Sequence, residues 1–167
     1  STEDAVLAAV RRVWASVLTP RAMAYLRAHG ATGDVGVGVV LQTMIPAEVA
    51  GVLFTANPVS GDPNEMIVNA SYGLGNFVVD GSVSPDTWRL DKASGFVRDY
   101  VRGDKERRSR VDPHGSVVEE PVTPADRNRP SLVPAEIDRL VALGRRVEAS
   151  LGGARDVEWA FAESTLY

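Results

Sequence analysis

The tightest constraint on the fold lies between residues 35 and 69, where short valine-rich runs alternate with dense turn chemistry. Val35 to Gln42, Gly51 to Thr55 and Met66 to Asn69 each have strand length and the β-branched content that suits a pleated surface. Asn57-Pro58 and the stretch from Ser60 to Asn64 supply turn residues between the last two. The flanks read differently. Val6, Val10, Val13 and Val17 recur at helical spacing, with Leu7 and Trp14 beside that stripe. Pro20 either ends this helix or opens the next, which runs from Arg21 to His29 and stops at Gly30. Phe77 to Val79 can start a helix, and Thr87 to Leu90 with Phe96 to Val101 reads as a hairpin turning at Ser94-Gly95. Residues 102–133 are charged and proline-bearing and are expected to be a long loop or excursion. A helix from Pro134, with Ile137, Leu140, Val141 and Val147 on its apolar face, ends at Gly152-Gly153 and leads to a last strand, Asp156 to Phe161. The pattern predicts an α+β fold, mainly an antiparallel sheet packed with helices around one core.

Composition excludes several function classes. The 167 residues include no cysteine, which rules out disulfides and thiolate metal sites and suits a reducing cytoplasm. A net charge of −4 gives no basic field for nucleic acid, and no apolar run approaches membrane-span length. The start, Ser1 to Asp4, is polar and acidic, unlike a signal peptide. A cytoplasmic location is the expectation.

Four segments carry possible chemistry. Along Asp156 to Phe161, Val157, Trp159 and Phe161 share one face while Asp156 and Glu158 share the other. Two carboxylates on a rigid strand suit Mg²⁺, which takes one or two carboxylates plus phosphate oxygens. Gln42 to Pro46 is a strand end stopped by proline, whose backbone groups can bond an adenine edge while Met44 and Ile45 cover its face. Thr55 closes a strand and offers a hydroxyl to a phosphate oxygen. Gly73 and Gly75 precede a helix and can bring backbone N–H groups to an anion, although no P-loop lysine accompanies them. Taken singly, each segment is read more economically as a half-exposed strand, a buried strand leaving the core, or a plain turn. Arg107, Arg108 and Arg110, balanced by Asp104, Glu106 and Asp112, read as a solvated loop, and His29 and His114 suggest no catalytic triad.

Together and in order, the segments resemble the ATP-binding domain of the phosphoenolpyruvate synthase and pyruvate phosphate dikinase family, which includes rifampicin phosphotransferases. The stretch from Gln42 through Gly51 and Thr55 to Pro58 carries most of the likeness. It is followed by Asn69 to Gly75, Val78 to Gly81, Ser84-Pro85-Asp86 and finally Asp156 to Ala160. Val13 to Ser16 and Arg21 to Tyr25 resemble the family's preceding helices. The resemblance implies the C-terminal half of an ATP-grasp clamp, with residues 1–167 forming a single partial domain. Gln42, Met44 and Ile45 would hold adenine, Thr55 would lie near the terminal phosphates, and Glu158 with Asp156 would bind Mg²⁺. Phosphate from ATP would pass through a histidine on a separate domain to pyruvate, or to the antibiotic in the rifampicin enzymes.

The departures from the family pattern set further expectations. Asn76 stands where the family usually has an acidic residue after Gly-Leu-Gly. The other clamp half, with its lysine and arginine, is expected ahead of Ser1, and a Leu-Gln-x-Arg-Pro stretch beyond Tyr167. The chain therefore reads as a fragment, inactive alone, whose partners are the missing N-terminal half, the phosphohistidine domain and a small-molecule acceptor. A non-catalytic remnant serving as an interaction module is the alternative. An exposed apolar patch around Met44, Ile45 and Leu53, with self-association, is expected in either case.

Overall fold

The computed structural model describes residues 2–30, 33 and 35–167. The chain divides into two compact units, Ser1–Met44 and Ile45–Tyr167. In the first, α1 (Glu3–Ala15) is capped by the Thr2 hydroxyl and runs into a single 3₁₀ turn, Ser16–Leu18. Thr19 then caps α2 (Pro20–Ala28) with its side chain, so Pro20 opens this helix, where its missing N–H costs nothing.

Val35 to Gln42 does not form the expected strand. Residues 35–47 carry no regular structure, and Val40 is 84% exposed. A strand needs a hydrogen-bonded neighbour, and among the described residues none pairs with this segment. Its valines give it propensity without a partner.

The second unit holds the core. Its sheet has strand order β4-β3-β2-β1-β7-β8, with β1 Val49–Phe54, β2 Glu65–Tyr72, β3 Asp86–Asp91, β4 Val97–Val101, β7 Asp156–Ala162 and β8 Thr165–Leu166. Every adjacent pair is antiparallel. Helix α5 (Pro134–Leu151) lays Ile137, Leu140 and Val141 against Leu53, Met66, Val68, Trp88, Leu90, Trp159 and Phe161. The opposite sheet face is partly covered by the short α3 (Asn76–Val79). This is the α+β arrangement of an ATP-grasp-like subdomain. Leu53 is fully buried beneath α5, so it contributes nothing to an exposed apolar patch. Odd-numbered β1 residues face the helix, and the expectation for Leu53 fails on that alternation alone.

Residues 102–133 are more ordered than a loop. They contain a hairpin, β5 (Arg107–Val111) with β6 (Val117–Pro121), and the short α4 (Pro124–Arg127). Cross-strand ion pairs line it, with Glu120 receiving both Arg108 and Arg110 at 2.6 and 2.8 Å.

A buried ion pair anchors this excursion. Asp86 and Lys105 are both fully buried, with Lys105 Nζ 2.6 Å from Asp86 Oδ1. Asp86 Oδ1 also accepts from Gly103 N and the Tyr100 hydroxyl, and Oδ2 accepts from the Ser131 backbone and hydroxyl. Burial, and next the Asp86 charge, push the Tyr100 phenol up to about 12, and burial likewise raises Tyr72. A raised folded-state value favours the protonated form, so this stability is complete below the ordinary tyrosine range near pH 10. It falls away between about pH 10 and 12. Denaturant unfolding across that range, followed with tyrosinate absorbance, should show stability dropping as pH rises. A flat profile there would contradict the placement of Tyr100.

Candidate functional site

The open face of the sheet follows from strand register. Val52 lies between Asn69 on β2 and Glu158 on β7, while Phe54 lies between Ile67 and Asp156. Successive side chains alternate, so Val52, Phe54, Asn69, Asp156 and Glu158 share the face away from α5. With Val78 and Val79 of α3 they line a pocket of about 450 Å³. The expected carboxylate pair is therefore brought together, exposed to solvent at one side of a half-apolar cleft.

This donor set fits a hard divalent cation. Asp156 and Glu158 supply carboxylate oxygens from a rigid strand, and among the described residues no cluster of three His, Cys, Asp or Glu side chains forms. Two carboxylates that leave the rest of the coordination shell to water and phosphate suit Mg²⁺ better than a metal needing an all-protein cage.

Thr55 occupies a different place from a phosphate contact. It is fully buried, its N–H donates to Arg155 O at 2.9 Å, and its hydroxyl oxygen accepts from Arg155 N at 2.8 Å. It extends the β1–β7 ladder by one step and holds the chain leading into Asp156. Gln42 and Met44 fall in the N-terminal unit, where both are exposed, and Ile45 opens the second unit half-buried.

The first half of the glycine loop is also already engaged. Gly73 N–H donates to Glu48 O at 2.7 Å and Leu74 N–H to Ser109 O at 2.9 Å. Gly73 has φ +80°, and a Cβ there would sit 2.2 Å from Ser109 O, so the loop is clamped against β5. The Asn76 side chain continues the clamp by accepting from the Ser109 hydroxyl, and Arg107 lies over the Phe77 ring. Hairpin β5–β6 thus holds α3, the wall of the pocket. Sequence reading missed this because the partners are separated by about thirty residues of charged chain. A second pocket of about 480 Å³ has Arg108, Arg110 and Arg129 in its lining. Those cations are paired with Glu120 and Asp126.

Among the described residues no helix is long and apolar enough to cross a membrane. Comparison with known proteins identifies the family. Residues 1–167 match the family model described as pyruvate phosphate dikinase, AMP/ATP-binding domain. The chain is 38% identical to a probable phosphoenolpyruvate synthase of Methanothermobacter thermautotrophicus, over 97% of this chain and 24% of that protein. It is 35% identical to a rifampicin phosphotransferase of Streptomyces sviceus, over 98% of this chain and 19% of that protein. A third relative, the prodigiosin synthesizing transferase PigC of Serratia marcescens, is 37% identical over 99% of this chain and 18% of its own length. The chain thus spans about a fifth of the length of these relatives. It belongs to the pyruvate phosphate dikinase AMP/ATP-binding domain family.

Proposed function

We propose that this chain supplies the Mg-ATP-holding face of a phosphotransferase that passes phosphate from ATP through a phosphohistidine domain to pyruvate. The observation that carries the reading is the placement of Asp156 and Glu158 together in the pocket of a chain matched throughout by an AMP/ATP-binding family. Asp156 and Glu158 would hold the cation, which when bound neutralises phosphate charge. Val52, Phe54, Val78 and Val79 give the pocket an apolar wall for the uncharged part of the nucleotide. Gln42, Met44 and Ile45 would meet the adenine. Thr55 acts through Arg155, by fixing the approach of Asp156 to the pocket.

An antibiotic acceptor is the second reading. The relative named a rifampicin phosphotransferase matches nearly as well as the synthase, and the pocket itself carries nothing that distinguishes acceptors. The partners in this reading are the complementary clamp half and the phosphohistidine domain. Self-association through the exposed Met44 and the half-buried Ile45 belongs to the same proposal.

Metal dependence tests the binding step. ATP affinity measured by calorimetry should fall about tenfold or more when Mg²⁺ is replaced by a chelator, since two carboxylates then face the phosphates unscreened. Equal affinity with and without the metal would contradict the proposed role of the acidic pair. Absence of any ATP binding would favour a non-catalytic interaction module.

A further inference from the structure

An acidic pocket that takes a phosphate chain needs a donor as well as a cation. We propose that Asn69 is that donor, its Nδ2 amide hydrogen-bonding an anionic oxygen of the nucleotide's phosphate chain. The inference rests on the ATP reading above and assigns a role to a residue the acidic pair does not include.

Three observations converge on it. The polar side chains lining the pocket are Asn69, Asp156 and Glu158, and ionised carboxylates only accept hydrogen bonds. Among the described residues, Asn69 is therefore the one lining side chain able to donate to an anion. Its orientation is also set from behind. The Thr87 hydroxyl donates to Asn69 Oδ1 at 2.8 Å, which occupies the carbonyl oxygen and leaves the NH₂ group for the pocket. The described residues give that NH₂ group no acceptor. Finally, two N–H groups of the nearby glycine loop are already taken, because Gly73 and Leu74 donate to Glu48 O and Ser109 O.

The register fixes the spacing. Thr87, Asn69, Val52 and Glu158 form one row across β3, β2, β1 and β7. Asn69 and Glu158 are two strands apart, roughly 10 Å at ordinary strand spacing. Val52 lies between them as a low apolar floor. A phosphate chain crossing that floor has an acceptor-rich end at β7 and a neutral donor at β2. A nucleoside without phosphates has nothing to give Asn69 of comparable strength, because hydrogen bonds to charged groups are the stronger ones. Asn69 accordingly favours nucleoside di- and triphosphates over the bare nucleoside.

Heteronuclear NMR of the full chain tests this directly. The Asn69 side-chain amide signals, identified by their loss in Asn69→Leu, should shift with Mg-ATP and stay in place with adenosine. Asn69→Leu should weaken Mg-ATP binding by about tenfold and leave adenosine binding unchanged. Thr87→Val, which keeps a β-branched strand residue, should weaken Mg-ATP by about threefold in the same selective way. It keeps the test decisive if Asn69→Leu folds poorly. Shifts confined to β1 and β7, with a silent Asn69 amide, would overturn the assignment and leave the ATP reading standing. Equal loss of Mg-ATP and adenosine in both variants would show a purely structural role and overturn it too. No response to Mg-ATP anywhere in the spectrum would overturn both.

Discussion

Replacing Asp86 with alanine is expected to lower the unfolding free energy by about 4 kcal/mol. The carboxylate satisfies the Lys105 ammonium, two backbone N–H groups and two hydroxyls, all from segments distant in sequence. Its removal strands a fully buried charge and leaves those donors without an acceptor. For a domain of this size the loss corresponds to a melting temperature lower by roughly 10 °C or more. A paired replacement, Asp86→Leu with Lys105→Met, should recover much of the loss, because no isolated charge then remains. Thermal and denaturant unfolding of the three proteins decides the point. A single Asp86→Ala variant within about 1 kcal/mol of the parent would show that the pair is not the anchor described. The consequence reaches the site, since the same anchor holds the chain leading into β5, and β5 clamps the pocket wall through Ser109.

Gly51→Ala should cost about 3 kcal/mol, for a reason of geometry alone. A Cβ at this position would fall 1.8 Å from the Asn69 carbonyl oxygen and 2.9 Å from the Trp159 ring. The first neighbour is backbone in a central strand and cannot rotate away. Relief requires β1 and β2 to separate, which opens the ladder between Gly51 and Ala70. Asn69 moves with it, so ATP binding should weaken alongside stability. Urea unfolding that places Gly51→Ala within about 0.5 kcal/mol of the parent would contradict the close approach. The position also explains the residue: glycine inside a strand marks a place where another backbone or ring comes unusually near.

Much of the second unit is legible in the sequence because its signals are local. The turn residues between Asn57 and Asn64 separate β1 from β2, and Ser94-Gly95 turns the β3–β4 hairpin. Pro134 and Gly152 bracket α5. Alternation along β7 places Asp156 and Glu158 on one face, as the pocket requires. What stayed hidden depends on partners far along the chain. The arginines of β5 look like a solvated basic run, yet Glu119 and Glu120 answer them from the next strand. Asp86 and Lys105 look like ordinary surface charges until the excursion folds back and buries both. Val35 to Gln42 shows the opposite error, because strand propensity without a hydrogen-bonding neighbour forms no strand. Thr55 offers a strand-end hydroxyl in the sequence, but in the structure that hydroxyl is buried and accepts from the Arg155 backbone, a residue one hundred positions away. Asn76 replaces an acidic residue by sequence, but in the structure its amide oxygen still accepts from Ser109 and holds α3 in place.

The most direct measurement is a calorimetric titration of Mg-ATP into this chain and into Glu158→Gln. The substitution keeps shape and removes one of the two pocket charges. The predicted result is binding by the parent that weakens about tenfold or more in the variant, with unfolding stability unchanged. Equal affinity in the two proteins would contradict a metal-nucleotide site on β7.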